Sequence, residues 1–345
     1  MIDPERTMAA DTLAAAERLS LGFLPTPLET LGRIGVQLGI RLLIKRDDLN
    51  GFGGGGNKVR KLEYILPEAL ARGADTLITT GGLQSNHARI VAAAARKLGL
   101  HPLLLLEGAP PAVPQGNFLL DHLFGAEIVF ADPADYAARV TELLEEQADR
   151  VRQRGGRPYI IAMGGAGARG ALGYIRAIQE IQAQLEATGA AAPDYLVVPA
   201  GTGSTLAALH VGVRWLWPST QVIGITVSRK DEATYRAGVA RQATEAASLA
   251  GIGGVWTADD IVIDTGYFAP GYGQPSAGGL AAIRRLARDE GILLDPVYTA
   301  KGFDGLIGLV RTGRIPQGAS VLFLHTGGVP ALYAFSEDLG QPATA

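Results

Sequence analysis

Eight short, almost wholly apolar runs alternate with longer segments of helical spacing, and this alternation limits the possible folds more than any other feature of the chain. The runs are 41–45, 76–80, 103–106, 127–130, 159–162, 196–199, 222–227 and 321–325. A run with no polar face suits a strand covered on both sides, as in a parallel sheet. Between the runs lie helical patterns such as 85–98, ended by Gly99. Another is 172–187, where Leu172, Ile175, Ile178, Ile181 and Leu185 recur before Gly189. The order predicts an α/β fold of parallel sheets covered by helices. No internal repeat is present. Residues 108–115 read as a loop or lid and 187–193 as a connector, both too short for free linkers. With 345 residues, 47% of them hydrophobic, the chain has material for one large core or two ordinary ones. Two lobes that exchange segments fit better than two beads on a string.

Net charge is −3, and no sustained basic run with interleaved aromatics suits a phosphate backbone, so nucleic acid is not an expected partner. Cysteine is absent, which removes disulfides, thiolate nucleophiles and cysteine-based metal sites. The first nineteen residues carry Asp3, Glu5, Arg6, Asp11, Glu17 and Arg18 among alanines, and no later apolar run reaches membrane length. The expectation is a cytoplasmic protein with no metal and no membrane partner.

Lys58 follows Gly53-Gly54-Gly55-Gly56-Asn57. A lysine on a glycine-rich arm suits an aldehyde cofactor: its amine can form a Schiff base, be displaced by a substrate amine and return as a proton carrier. The glycines would let backbone approach that cofactor closely, and the Asn57 amide could bond a ring hydroxyl. An ordinary surface turn with a solvated lysine has the same composition, and the motif alone leaves both readings open.

Three further turns lie where a strand meets a helix or ends. In Thr79-Thr80-Gly81-Gly82-Leu83-Gln84-Ser85-Asn86-His87, Ser85 is a good N-cap. The first amides of that helix, with its dipole, would hold a carboxylate, unless Ser85 is only a cap and Asn86 and His87 fill the first turn. In Pro199-Ala200-Gly201-Thr202-Gly203-Ser204-Thr205, successive N–H groups and hydroxyls form a nest for one phosphate. It lacks the lysine and spacing of a nucleotide loop, and no acidic ribose-binding residue stands out downstream. His325-Thr326-Gly327-Gly328 leaves Thr326 at the carboxyl end of the last strand, the edge where ligands sit in open α/β sheets.

Taken with Thr26-Pro27-Leu28-Glu29, Ile44-Lys45-Arg46-Asp47-Asp48, Arg60-Lys61-Leu62-Glu63 and Leu294-Asp295-Pro296-Val297-Tyr298-Thr299-Ala300-Lys301, these motifs resemble the pyridoxal-phosphate enzymes of the tryptophan synthase β-like fold (fold type II). Within them the chain is similar to the branch of D-cysteine desulfhydrase, L-cysteate sulfo-lyase and 1-aminocyclopropane-1-carboxylate deaminase. The matches run in the family's order from residue 26 to 328.

The resemblance implies pyridoxal 5′-phosphate as cofactor, a homodimer, a large cofactor-binding domain of residues 1–61 and 172–345, and a small domain of residues 62–171. Lys58 would carry the Schiff base, with Asn57 against the phenolic oxygen and Gly201, Thr202, Gly203, Ser204 and Thr205 around the phosphate. Ser85, Asn86 and His87 would take the substrate carboxylate, with Ser85 also placed for proton transfer. Tyr272 and Tyr298 would line the substrate side, unless they are aromatic packing under a loop. Lys45 and Lys301 lie in matched segments but lack a flexible arm.

Thr299 and Thr326 match the desulfhydrase pattern, where the deaminase has glutamate and leucine. A neutral hydroxyl at the pyridine nitrogen leaves the ring a weaker electron sink, which favours prompt loss of a β-leaving group over a long-lived carbanion. The expected activity is therefore α,β-elimination from a small β-substituted amino acid such as D-cysteine, giving pyruvate and ammonia. The deaminase, the sulfo-lyase and, more remotely, a non-catalytic binder of a phosphorylated ligand are the alternatives. The chain departs from the pattern at Gly51-Phe52-Gly53-Gly54, at Ile90, at 108–115 and at 164–170, where Arg169 is either solvated or available to an anionic substituent.

Overall fold

The computed structural model describes residues 4–228 and 231–340. Its strands are β1 (Leu28–Thr30), β2 (Arg41–Arg46), β3 (Thr76–Gly82), β4 (His101–Glu107), β5 (Glu127–Ala131), β6 (Pro158–Ile160), β7 (Tyr195–Ala200), β8 (Gln221–Thr226), β9 (Val262–Asp264) and β10 (Ser320–His325). One sheet runs β1-β2-β10-β7-β8-β9 and the other β5-β4-β3-β6. Every pairing is parallel except β1 with β2. All eight anticipated strands form. The two unanticipated ones, β1 and β9, are three residues long and lie on the edges of the larger sheet, where no apolar run is needed.

The larger sheet is buried on both faces. Along β10, Leu322 and Leu324 join a core with Ile175, Ile178 and Leu209. The alternate residues Val321 and Phe323 join a separate core with Ile44, Phe303 and Leu306. Both faces of one strand are thus apolar, which explains a continuous hydrophobic run without alternation. The smaller sheet repeats the arrangement, with Leu103 and Leu105 on one side and Leu104 and Leu106 on the other.

The smaller sheet is built from residues 76–160, inside the segment expected for the small domain. The expected boundaries at 61/62 and 171/172 fall within the helices Lys58–Ala71 and Ala168–Ala187, which pack on each other. A buried ionic network ties these helices to the end of β2. Arg60 donates to Asp47 at 2.8 and 2.9 Å and to Glu180 at 2.8 and 2.9 Å. Lys45 lies 2.6 Å from Glu180, and the Tyr174 hydroxyl donates to Asp47. The helix that begins with Lys58 is therefore fixed by charge-assisted bonds two residues after that lysine.

Candidate active site

The carboxyl ends of β3, β4, β7 and β10 open on one cavity of about 1070 Å³, its mouth included. Strands of both sheets contribute, so the site lies where the two sheets face each other across their carboxyl edges, as ligand sites in open α/β sheets do. Lining it are Asn57 and Lys58, Ser85, Asn86 and His87, Gly201, Thr202, Gly203 and Thr205, Tyr272, Tyr298 and Thr326. The structure thus gathers the residues that the resemblance assigned to cofactor and substrate, except Ser204 and Thr299.

Lys58 stands at the first position of its helix, at the end of the glycine loop. Its amine makes no hydrogen bond or ion pair with the described residues, and burial lowers its pKa to about 8. Neighbouring lysines are committed elsewhere. Lys45 bonds Thr26 and Gln184 as well as Glu180, Lys301 holds the carbonyls of Phe268 and Gly271, and Lys61 bonds Gly164 and Ser204. Among the described residues, only Lys58 offers an uncommitted amine to the cavity.

The loop glycines serve a different end from the one expected. Only Asn57 and Lys58 of this segment line the cavity, while the glycines pack against the protein. Gly55 has φ +75°, and a β-carbon there would lie 2.0 Å from the carbonyl oxygen of Asp48, so no other residue fits. Arg89 fastens the same loop by donating to the carbonyls of Gly53 and Gly55.

Ser85 caps the helix Asn86–Lys97, its Oγ accepting from the Ala88 amide at 3.2 Å. Capping and cavity lining therefore coexist in one residue. Asn86 is oriented by Asn117, whose Nδ2 donates to its Oδ1 at 2.9 Å. His87 Nε2 lies 2.8 Å from Thr79 Oγ1, whose own proton goes to the carbonyl of Ile161. The hydroxyl must therefore accept, so Nε2 carries a proton. Burial, followed by the nearby Lys58 and Lys61 charges, pushes the His87 pKa well down, which favours the neutral ring with that proton on Nε2.

At the Gly201–Thr205 turn, the helix Ser204–Leu216 begins directly after Gly203. Its first capped carbonyl is that of Gly203, which accepts from Ala207. The amides before Ala207 lack intrahelical partners, and the helix dipole makes the turn attractive to an anion. Ser204 is buried beneath this turn, and its Oγ accepts from Lys61 Nζ at 3.0 Å. Its place is behind the lining, where it brings a lysine under the anion-binding turn. No sequence signal separated Lys61 from the basic residues around it.

Thr299 also differs from expectation. It is fully buried, donating to Asp295 Oδ1 at 2.7 Å and accepting from the Asp295 amide at 2.7 Å. Of the threonine pair, only Thr326 reaches the cavity. Tyr272 and Tyr298 share a hydrogen bond of 2.6 Å with their rings edge to face, so they act as a pair. Arg169 pairs with Glu68 at 2.7 Å and does not line the cavity. Glu107, Tyr136, Met163, Leu206 and Ser228 also line it without any motif to announce them, as does Gly164 of the 164–170 turn.

An uncommitted lysine amine, a helix start suited to an anion with a second lysine bonded to its first hydroxyl, and a serine-capped helix start line or flank one cavity, an arrangement that suits a pyridoxal-phosphate-dependent enzyme of the α/β class. The chain belongs to the pyridoxal-phosphate dependent enzyme family, which matches residues 19–327. Its fold is the tryptophan synthase β-like fold. It is 44% identical to D-cysteine desulfhydrase of Klebsiella pneumoniae (strain 342) over 96% of this chain and the whole of that protein. Identity to D-cysteine desulfhydrase of Yersinia enterocolitica is 45%, over 94% of this chain and 97% of that one. A crystal structure of an ACC deaminase homologue superposes with a TM-score of 0.86 at 38% identity, covering 98% of this chain and 99% of that chain.

The residues present fit the cofactor. The unpaired Lys58 amine suits its aldehyde, and the Gly201–Thr205 turn with Lys61 suits its phosphate.

Proposed function

We propose that this chain is a lyase that eliminates the β-substituent of a small amino acid, with D-cysteine as the substrate and pyruvate, ammonia and sulfide as products. The observation that carries it is the amine of Lys58, the one uncommitted amine among the described residues of the cavity, which also holds the Ser85–His87 turn. The desulfhydrase relatives support the choice of substrate.

When bound, pyridoxal phosphate draws electrons from the substrate α-carbon. The protein's own groups do the rest. The Ser85 turn binds the carboxylate and orients the Cα–H bond toward Lys58. Lys58 Nζ takes the α-proton, for which an amine lowered to about 8 is well suited near neutral pH. The Cβ–S bond breaks with its electron pair leaving on sulfur, and the Tyr272–Tyr298 pair can supply a proton to the departing group through whichever hydroxyl is not donating to the other. Water then converts the enamine to pyruvate and ammonia.

The domain boundaries at 61/62 and 171/172, a cytoplasmic location and a homodimer belong to the same proposal. Among the described residues no helix is long and apolar enough to cross a membrane, and light scattering measures the assembly directly.

Ring opening is the second reading, favoured by the likeness to the ACC deaminase homologue. A keto-acid assay separates the two. Pyruvate from D-cysteine, and none from L-cysteine or cysteate, supports the proposal; 2-oxobutyrate from 1-aminocyclopropane-1-carboxylate overturns it.

A further inference from the structure

Glu107 is the only carboxylate among the described residues that line the cavity, and the described residues give its side chain no hydrogen bond or ion pair. It closes β4, directly opposite Gly82 of β3 in the parallel register. Gly82 in turn abuts Tyr272: a β-carbon placed on it would sit 3.6 Å from the tyrosine ring. Tyr136, fixed by a 2.9 Å bond from Thr80, stands on the same side. Burial raises the Tyr136 and Tyr272 hydroxyls, and the Glu107 carboxylate adds to both shifts, as a charge close to both rings must.

Two parts of the lining already have a proposed ligand. The Ser85–His87 turn is the place for a carboxylate and the Gly201–Thr205 turn the place for a phosphate, both at helix N-termini. Of the rest of the lining, the wall made by Glu107, Tyr136 and Tyr272 is the part that carries a charge toward a substituent on the β-carbon. A carboxylate with no ion-pair partner among the described residues repels an anionic group and attracts a cationic one, and in a cavity of restricted solvent access the effect is larger than in water.

We propose that Glu107 selects substrates by the charge of the β-substituent, rejecting anionic groups such as a sulfonate or carboxylate and admitting neutral and cationic ones. The inference rests on the amino-acid reading of the cavity. It places the chain apart from an enzyme for cysteate and extends its range to amino acids carrying a second amine.

The test uses the cofactor-loaded enzyme and three amino acids that do not lose a β-group: D-aspartate, D-2-aminobutyrate and D-2,4-diaminobutyrate, with the L-forms as a second set. They share the α-amine and α-carboxylate and differ in side-chain charge. Binding is read as the change in the cofactor's absorbance on titration at pH 7.5, so no turnover is needed. In the native enzyme aspartate should bind about tenfold or more weakly than 2-aminobutyrate, and diaminobutyrate at least as tightly as the neutral probe. Glu107→Gln should bring the three dissociation constants together, and Glu107→Lys should invert the order. Cofactor absorbance per protein reports whether each variant has folded around its cofactor. Should a variant fail to load, raising the salt on the native enzyme gives the same information, since the aspartate-to-diaminobutyrate gap should narrow. Equal affinities in the native enzyme, or aspartate the tightest, would overturn the role of Glu107. Absence of any absorbance change with every probe of either hand would instead remove the amino-acid reading, and this inference with it.

Discussion

Lys61 donates from Nζ to Ser204 Oγ at 3.0 Å, joining the helix that begins with Lys58 to the first residue of the helix behind the Gly201–Gly203 turn. The two lysines are one helical turn apart, and burial, with the Lys58 charge added, holds the Lys61 pKa well below that of a free lysine. A dianion bound at the turn would favour the charged form of Lys61. Lys61→Met should therefore weaken cofactor retention by about tenfold or more, the worth of one hydrogen bond to a charged group. Lys58 should still react with the aldehyde in this variant. Equilibrium dialysis of pyridoxal phosphate, with pyridoxal lacking the phosphate as control, checks it: the loss should appear for the phosphorylated form alone.

The Lys58 amine, lowered from 10.5 to about 8 by burial, sets a pH dependence for cofactor capture. Only the neutral amine attacks an aldehyde. In the apo protein the rate of pyridoxal capture should rise with pH and level off above about 8, where an ordinary lysine would still be climbing toward 10.5. Stopped-flow absorbance between pH 6 and 10 measures it. Lys58→Ala should abolish both the absorbance of lysine-linked cofactor and turnover, and their survival would sink the assignment.

Asp47 lies at the centre of the buried network. Burial alone would raise its pKa, but the Arg60 guanidinium, the Tyr174 hydroxyl and Lys45 outweigh it and hold the carboxyl below its usual range. Glu180 is lowered in the same way, chiefly by Arg60 against its own burial. For groups depressed in the folded state, the stabilisation is complete above the unfolded carboxylate pKa of about 4 and is lost as pH falls through the folded values. Arg60→Met leaves both carboxylates without their main partner and should destabilise by about 3–5 kcal/mol. Its melting temperature should fall most at neutral pH, and the gap to the native protein should shrink toward pH 3 as the stranded carboxylates take up protons. A gap independent of pH would show that lost packing, not charge, is responsible.

The parts of this site legible in the sequence were those set by backbone. Gly201–Thr205, Ser85–His87 and Asn57–Lys58 are strand-end or helix-start motifs, whose geometry follows from a local run of residues. Eight strands were equally legible from their nearly unbroken apolar runs, whereas the short edge strands β1 and β9 carry no such run. Thr299 was misplaced because its identity matched a pattern while its environment depends on Asp295, which claims the hydroxyl from four residues away. Glu107 ends an ordinary buried strand, and only the facing of two sheets turns it into the wall of a cavity. Ser204 and Lys61 meet across 143 residues, a contact no local pattern encodes.

Gly81 offers the sharpest test of the carboxylate turn. A β-carbon on Gly81 would stand 2.4 Å from Ser85 Oγ and 2.5 Å from Ser85 Cβ, well inside contact distance. In Gly81→Ala the serine must give way, and with it the cap bond to Ala88 and the hydroxyl facing the cavity. Losing the cap costs about 1 kcal/mol of stability, which the buried helix Asn86–Lys97 should survive. The effect on substrate should be larger, with KM raised about tenfold or more while the cofactor's absorbance is retained, because the Gly201 turn and Lys58 lie on other elements. Steady-state kinetics and a melting curve on one preparation separate the two effects. An unchanged KM would show that Ser85 only caps its helix and that the carboxylate binds elsewhere.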